Sequence, residues 1–336
     1  MRRTLLFALA IGFSLVSSAA WAGDLRCHLT DKEGPQADVQ VTVTPGGTTL
    51  TTARDGTCLF RGLREGTYRV TAEKTVGEEL SGAVQDGVRV PARGVVDAKL
   101  QLVRAIHIHE YTPLRDGSRW RYQWWRTKWG DPDSDVLIDE ATVGRARFAG
   151  ADVAKLEWIR SGWMWLPHPI YATYETSGPE GYTIYGRTPG SGEEPGYRYD
   201  PPLLVPDLCP QGHAHRLTTR VRYTDDRPSV RVARTYTLTK FESERVSAGA
   251  FDDCARIEWT EDAEGTTTTG VMYLAKGVGM VRMTLHEREI QEHLQLLYYR
   301  PPAAPAPSAA RTVPRTVKPK PPSGTVQTPG KSVPSK

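Results

Sequence analysis

The sequence predicts an all-β chain, a small sandwich followed by a larger antiparallel meander or half-barrel with an internal repeat. Three observations predict it. Short apolar–polar alternations recur between clusters of Gly, Pro and Asp. A dense run of aromatic residues opens the second part on a period of two. No stretch of useful length carries a helical period before Leu285–Leu297, which fits a short terminal helix or a strand.

The two ends differ from the body. Met1-Arg2-Arg3 is basic, Leu5 to Val16 is apolar, and Ala20-Trp21-Ala22 precedes Gly23. This is the pattern of a cleavable secretory signal over residues 1–22. The apolar run is too short to span a bilayer, and no later stretch is long or apolar enough, so the chain is not expected to be transmembrane. Residues 301–336 collapse to Pro, Ala, Ser, Thr, Val and Lys, with six basic residues and no acid. Such a segment cannot bury enough apolar area to offset its ordering entropy and is expected to be disordered. Its charge suits contact with an anionic surface.

The chain has 43 basic and 39 acidic residues. Two of the arginines lie in the signal and six cations in the tail, so the body itself carries an acidic excess. That balance argues against nucleic acid as a partner.

Residues 23–105 alternate and turn at short intervals. Leu25–Leu29, Val39–Val43, Thr49–Ala53, Cys58–Phe60, Tyr68–Ala72, Val88–Val90 and Val95–Leu102 read as strands. About seven strands at this spacing make a small sandwich. Asp31…Gly34-Pro35, the Val39-x-Val41-x-Val43 alternation, Asp55-Gly56-Thr57-Cys58-Leu59-Phe60 and Gly62-Leu63…Gly66-Thr67-Tyr68 occur in the order found in one family. The stretch resembles the carboxypeptidase regulatory-like domain, a transthyretin-like β-sandwich. The resemblance implies a spacer, adhesion or accessory module related in fold to carbohydrate-binding modules, and no peptidase activity.

Residues 106–110 read as a linker and 111–300 as the second domain. Trp120, Tyr122 and Trp124 fall on one face of a strand and Arg119, Arg121 and Gln123 on the other. Leu114–Trp120 has a partner in Leu208–His215, with Gly117 matching Gly212 and Trp120 matching His215. Ala149-Gly150-Ala151-Asp152 followed by Ala154–Trp158 has a closer partner in Ala248–Asp252 followed by Ala255–Trp259. Two meanders of roughly ninety residues each account for this order. Tyr111–Leu114, Gly117–Tyr122, Pro201–Leu204, Val246–Cys254 and Tyr273–Val281 together resemble the TapB-like bacterial envelope domains. That resemblance implies a long meander curled into a half-barrel of LolA/LolB-like shape, and it implies no activity.

Cys27, Cys58, Cys209 and Cys254 are even in number and would enter an oxidising compartment. Three pairings exist. Cys27–Cys58 with Cys209–Cys254 keeps each bridge inside one domain. No C-x-x-C is present, which argues against a thioredoxin-like or zinc-ribbon site.

The chemistry-bearing clusters are sparse. His107-x-His109 and His213-x-His215 each place two imidazoles on one face of an extended segment, but neither pair has a third ligand at a recognised spacing. Asp131, Asp133 and Asp135 lack the glycine and distal glutamate of a calcium loop. Ser191 lies in a Pro-Gly loop without a nucleophile motif, and Gly277-Val278-Gly279 lacks the helix of a phosphate loop. No catalytic residue, metal ligand or cofactor is therefore assigned. The remaining candidates are Trp120, Trp124, Trp158, Trp163 and Trp165, which either pack a sheet core or line a concave face for a ligand. Both faces of Trp163–Pro167 are apolar, so that stretch reads as the exposed portion. The expectation is a non-enzymatic exported, periplasmic or surface protein of the cell envelope that binds an apolar small molecule or an envelope protein. A carbohydrate-binding protein meeting polysaccharide is one alternative. A metal-dependent enzyme using His213, His215 and an acid is another.

Overall fold

Turn residues cut the first part into short strands, and alternation decides which face of each is buried. The computed structural model describes residues 22–128, 136–162, 165–190 and 196–302. Residues 1–21 of the signal stretch, residues 303–336 of the tail, Asp131, Asp133, Asp135 and Ser191 lie outside these. The strands of the first part are β1 (Ala22–Thr30), β2 (Gln40–Thr44), β3 (Thr48–Thr51), β4 (Thr57–Arg64), β5 (Gly66–Val76), β6 (Glu79–Val90), β7 (Val95–Gln101) and β8 (Val103–His107). Strands β4, β1 and β7 form one sheet, with β7 parallel to β1. A second sheet runs β8-β6-β5-β2-β3. Every second residue of β1 (Leu25, Cys27, Leu29) and of β2 (Val41, Val43) joins one buried cluster with Phe60, Val70 and Leu100. Both sheets thus share a single core, which the period-two patterning anticipates.

The stretch read as a linker is built in. Its first residues finish β8, and a four-residue helix, α1 (Ile108–Tyr111), follows with Ile108 and Tyr111 buried.

The second part contains β9 (Arg119–Lys128), β10 (Leu137–Phe148), β11 (Ala151–Gly162), β12 (Trp165–Gly178), β13 (Gly181–Pro189), β14 (Tyr197–Pro206), β15 (Leu208–Pro210), β16 (Ala214–Tyr223), β17 (Val230–Val246), β18 (Gly249–Ala263), β19 (Thr266–Ala275), β20 (Gly279–Glu287) and β21 (Ile290–Arg300). Twelve of them close into an antiparallel barrel, β9 through β14 and β16 through β21. The expected half-barrel is therefore corrected to a closed one. Closure is the pairing of the first strand with the last, from Ile290↔Lys128 to Arg300↔Arg119. This contact joins segments about 160 residues apart, so no local period announces it. The Leu285–Leu297 stretch is a hairpin of β20 and β21 rather than a helix.

Strand β15 departs from the meander. It leaves the barrel and pairs antiparallel with β8, extending the second sheet of the first part by one strand. The repeat has a structural counterpart around it. Six barrel strands precede β15 and six follow it. The matched Ala149-Gly150 and Ala248-Gly249 lie at the β10–β11 and β17–β18 hairpins. The matched Gly117 and Gly212 both take φ of 82°, where a side chain is strained.

The four cysteines are buried and no disulfide joins them in this structure, so the expected bridges are not confirmed. Cys27 and Cys58 do face each other across β1 and β4. Cys209 rides β15 into the neighbouring sheet and gives its thiol to the Pro206 carbonyl at 3.4 Å. Cys254 belongs to a different core cluster and bonds to the Phe251 carbonyl. Burial pushes these two thiols up, to about 12 and about 11, so both are poor thiolates.

Candidate functional site: the barrel lumen

Alternation along the barrel strands sends one face inward and one outward. Trp120, Tyr122 and Trp124 point in, while Arg119 and Arg121 lie exposed. On β16, His215, Thr219 and Val221 are buried and Arg216, Arg220 and Arg222 are exposed. The inward side chains do not fill the barrel. They enclose a cavity of about 760 Å³ with lining residues from all twelve barrel strands. Ile108 and Tyr111 of α1 also line it.

Trp120, Trp124 and Trp158 all line this cavity, and Trp120 and Trp124 are buried. Trp120 is fixed by its indole N–H, which donates to the Val278 carbonyl at 2.6 Å. Tyr122 donates its hydroxyl to the Met280 carbonyl at 3.1 Å. The glycines around Val278 form a turn between β19 and β20. Trp163 and the side chain of Trp165 lie outside the described residues.

The repeat supplies a tryptophan the sequence reading did not nominate. Trp259 matches Trp158, and both line the lumen. Trp259 lies across from Gly270 on β19, where a Cβ would come within 2.4 Å of the indole. Glycine there gives the ring its place. Both Nε1 atoms are buried without a hydrogen-bond partner. An unpaired buried donor costs about 1–3 kcal/mol, and both N–H groups are closed off inside the packed wall.

Two residues beyond each tryptophan sits a charge, and the signs are opposite. Arg160 follows Trp158, and Glu261 follows Trp259. Each pairs with a residue of the preceding strand. Arg160 makes two hydrogen bonds of 2.8 Å to Asp139 of β10 and lies 4.1 Å over the Trp124 ring. Glu261 accepts from Arg234 of β17, which also donates to the Tyr236 hydroxyl. Asp139, Arg160, Arg234 and Tyr236 all line the cavity. The lumen is therefore an apolar and aromatic chamber with two internally neutralised polar belts. Leu294, Met272 and Met283 are among its apolar lining.

Glu175 of β12 adds a single carboxyl group. It is buried, and the Tyr182 hydroxyl donates to it at 2.5 Å. Burial raises its pKa above the ordinary carboxylate value, against that hydrogen bond. The folded chain thus holds this proton more tightly than the unfolded chain. Stability is then greatest below the unfolded-state pKa and falls as pH rises toward the raised one. Glu175→Gln keeps the acceptor and removes the charge. It is expected to raise the melting temperature at pH 8 by about 2–4 °C, the shift that about 1 kcal/mol produces at this size. Melts at pH 4 are expected to show no such gain.

At the end of the lumen lined by α1, His107 and His109 turn to a common partner. Asp207, between β14 and β15, accepts from His107 Nδ1 at 2.8 Å and His109 Nδ1 at 2.7 Å. It also accepts from the His109 backbone N–H at 3.1 Å. The other pair, His213 and His215, meets edge to face at 4.8 Å, and both Nε2 atoms are buried without a hydrogen bond. His215 lines the cavity at the place Trp120 holds in the first half. Sequence spacing could not reveal Asp207, because 98 residues separate it from His109.

No protein-family model matches the chain, and no curated protein matches it. Among solved structures, a candidate lipoprotein from Parabacteroides distasonis aligns at 11% identity with a TM-score of 0.36. A candidate exported protein of YmcC-like fold from Bacteroides fragilis aligns at 12% identity with a TM-score of 0.39. Each alignment covers 56% of this chain and 98% of the other. Among the described residues no helix is long and apolar enough to cross a membrane, which leaves strands unaddressed.

Proposed function

We propose that this chain is an exported, non-enzymatic protein of the cell envelope whose barrel holds an apolar small molecule. The observation behind the reading is the lumen itself. A chamber of about 760 Å³ with apolar and aromatic walls has the size and lining of a small-molecule site. The Asp139–Arg160 and Glu261–Arg234 pairs neutralise one another within the wall, which keeps its character apolar and aromatic there. The exposed arginines of β9 and β16 place charge on the outer face, the reverse of a lipid-embedded barrel. Water outside and an apolar guest inside is the arrangement this polarity favours.

Native mass spectrometry of the full chain, purified without detergent, is expected to show a bound apolar compound released by organic solvent. Palmitate added to the stripped protein is expected to raise its melting temperature. A stripped chain that carries no compound and gives no thermal shift with palmitate, a long-chain alcohol or an isoprenoid overturns the reading.

A further inference from the structure

We propose that His107, His109 and Asp207 form a binding site for a divalent transition-metal ion of the zinc class. This goes beyond the lumen reading and does not depend on it. Each residue offers a ligand atom, and the three atoms lie within 4.8 Å of one another. Two imidazole nitrogens and one carboxylate oxygen are a donor set that suits zinc, with ligand bonds of about 2.0–2.2 Å. Such bonds place neighbouring ligand atoms about 3 Å or a little more apart, so small side-chain movements would admit the ion.

The chain arranges these ligands from two directions. His107 ends β8 and His109 lies in α1, so backbone geometry turns both Nδ1 atoms toward the same carboxylate. Asp207 arrives from the connection that carries the chain out of the barrel to β15. Two backbone bonds hold the junction. The His109 N–H donates to the Asp207 side chain, and the Ile108 N–H donates to the Asp207 carbonyl at 2.8 Å. The carboxylate is mostly buried, with 12% of its side chain exposed, whereas the two imidazoles are 29% and 34% exposed. An ion there would be reached from water and would keep water as its remaining ligand.

Coordination needs no redox partner. Each ring binds through Nδ1 and carries its proton on Nε2, and any second proton on a ring passes to solvent. The bound ion would join α1 to the β14–β15 connection. It would thereby fasten the helix that lines one end of the lumen. The His213–His215 pair is not part of this site. Its Asp86 neighbour lies 3.6 Å from His213, and these residues do not draw together as a ligand set.

The test uses the full chain, stripped with a chelator and titrated with zinc chloride in competition with a metal-sensitive dye. One equivalent of zinc is expected to bind, with a rise of several degrees in melting temperature. Cobalt(II) in its place is expected to give the intense visible absorption of a four-coordinate site. His109→Gln is expected to weaken zinc binding at least tenfold, and the His107→Gln/His109→Gln pair to abolish both binding and thermal shift. His213→Gln is expected to leave the stoichiometry at one. Circular dichroism of each variant reports the fold, and His109→Gln carries the test if the double variant unfolds. No zinc retained by the parent chain, or zinc retained equally by the His109→Gln variant, overturns the proposal.

Discussion

Replacing Arg160 with methionine is expected to cost the fold about 3–5 kcal/mol, because it strands a buried carboxylate. Asp139 has 3% of its side chain exposed, and its hydrogen bonds among the described residues run to the Arg160 guanidinium in a two-pronged match. Methionine fills similar volume over the Trp124 ring but supplies no charge and no donor. The carboxylate must then stay ionised in an apolar wall, take up a proton, or drag water inward. Asp139→Asn is expected to cost less, about 1–3 kcal/mol, since Arg160 keeps 24% exposure and can turn toward water. The double replacement Asp139→Leu/Arg160→Met removes both charges and is expected to recover most of the loss, as apolar substitutes for buried ion pairs do. Urea unfolding reads all three. The midpoint should move while the slope stays constant. A single Arg160→Met variant as stable as the parent would mean that the pair contributes nothing to holding β10 against β11.

The second large effect is a loss of stability in mild acid that runs through His215. Burial holds its pKa down to about 3, with the neighbouring His213 and Arg69 acting in the same direction. Asp86 sits on the far side of His213 at 3.6 Å and offsets part of that field at His213. The unfolded chain takes up a proton at His215 near pH 6.5, and the folded chain does not until near pH 3. The unfolded state therefore binds more protons between those values, so stability falls as pH drops through that window. Each pH unit is worth about 1.4 kcal/mol, which makes the loss about 2–3 kcal/mol by pH 4.5. His215→Phe removes the titrating group and restores an aromatic ring where the first half carries Trp120. Its unfolding midpoint in urea should decline far less between pH 7.5 and 4.5 than that of the parent. Equal declines would place the acid sensitivity elsewhere.

Alternation made much of this architecture legible. Trp120, Tyr122 and Trp124 read as one face because a strand repeats every two residues, and they are one face of the lumen. The repeat was legible too, through Ala149-Gly150 and Ala248-Gly249 at matching hairpins. Extending that match by a few residues finds Trp259 and Glu261 as counterparts of Trp158 and Arg160. What could not be read was anything decided by distant partners. Closure depends on β9 meeting β21, and both strands look the same whether the sheet closes or stays open. The ion pairs of the lumen depend on register between neighbouring strands. Asp207 carries no local mark that two histidines 98 and 100 residues earlier in the chain will turn to it. The expected Cys209–Cys254 pairing met a related difficulty. It assumed that Cys209 stays with its own sequence neighbours, whereas β15 crosses to the other sheet.

That crossing has a consequence for how the chain matures. A polypeptide is synthesised amino end first, so β8 is delivered about a hundred residues before the three residues that cover its outer flank. Until Leu208–Pro210 arrive, the backbone amides and carbonyls of Ala105–His107 present a bare template for stray strands. A fragment ending at residue 112 is expected to keep that template permanently, with a tendency to aggregate that the whole chain suppresses. The short detour of β15 acts as a late-arriving guard rail, and it makes the integrity of the amino-terminal module depend on successful delivery of the carboxy-terminal one.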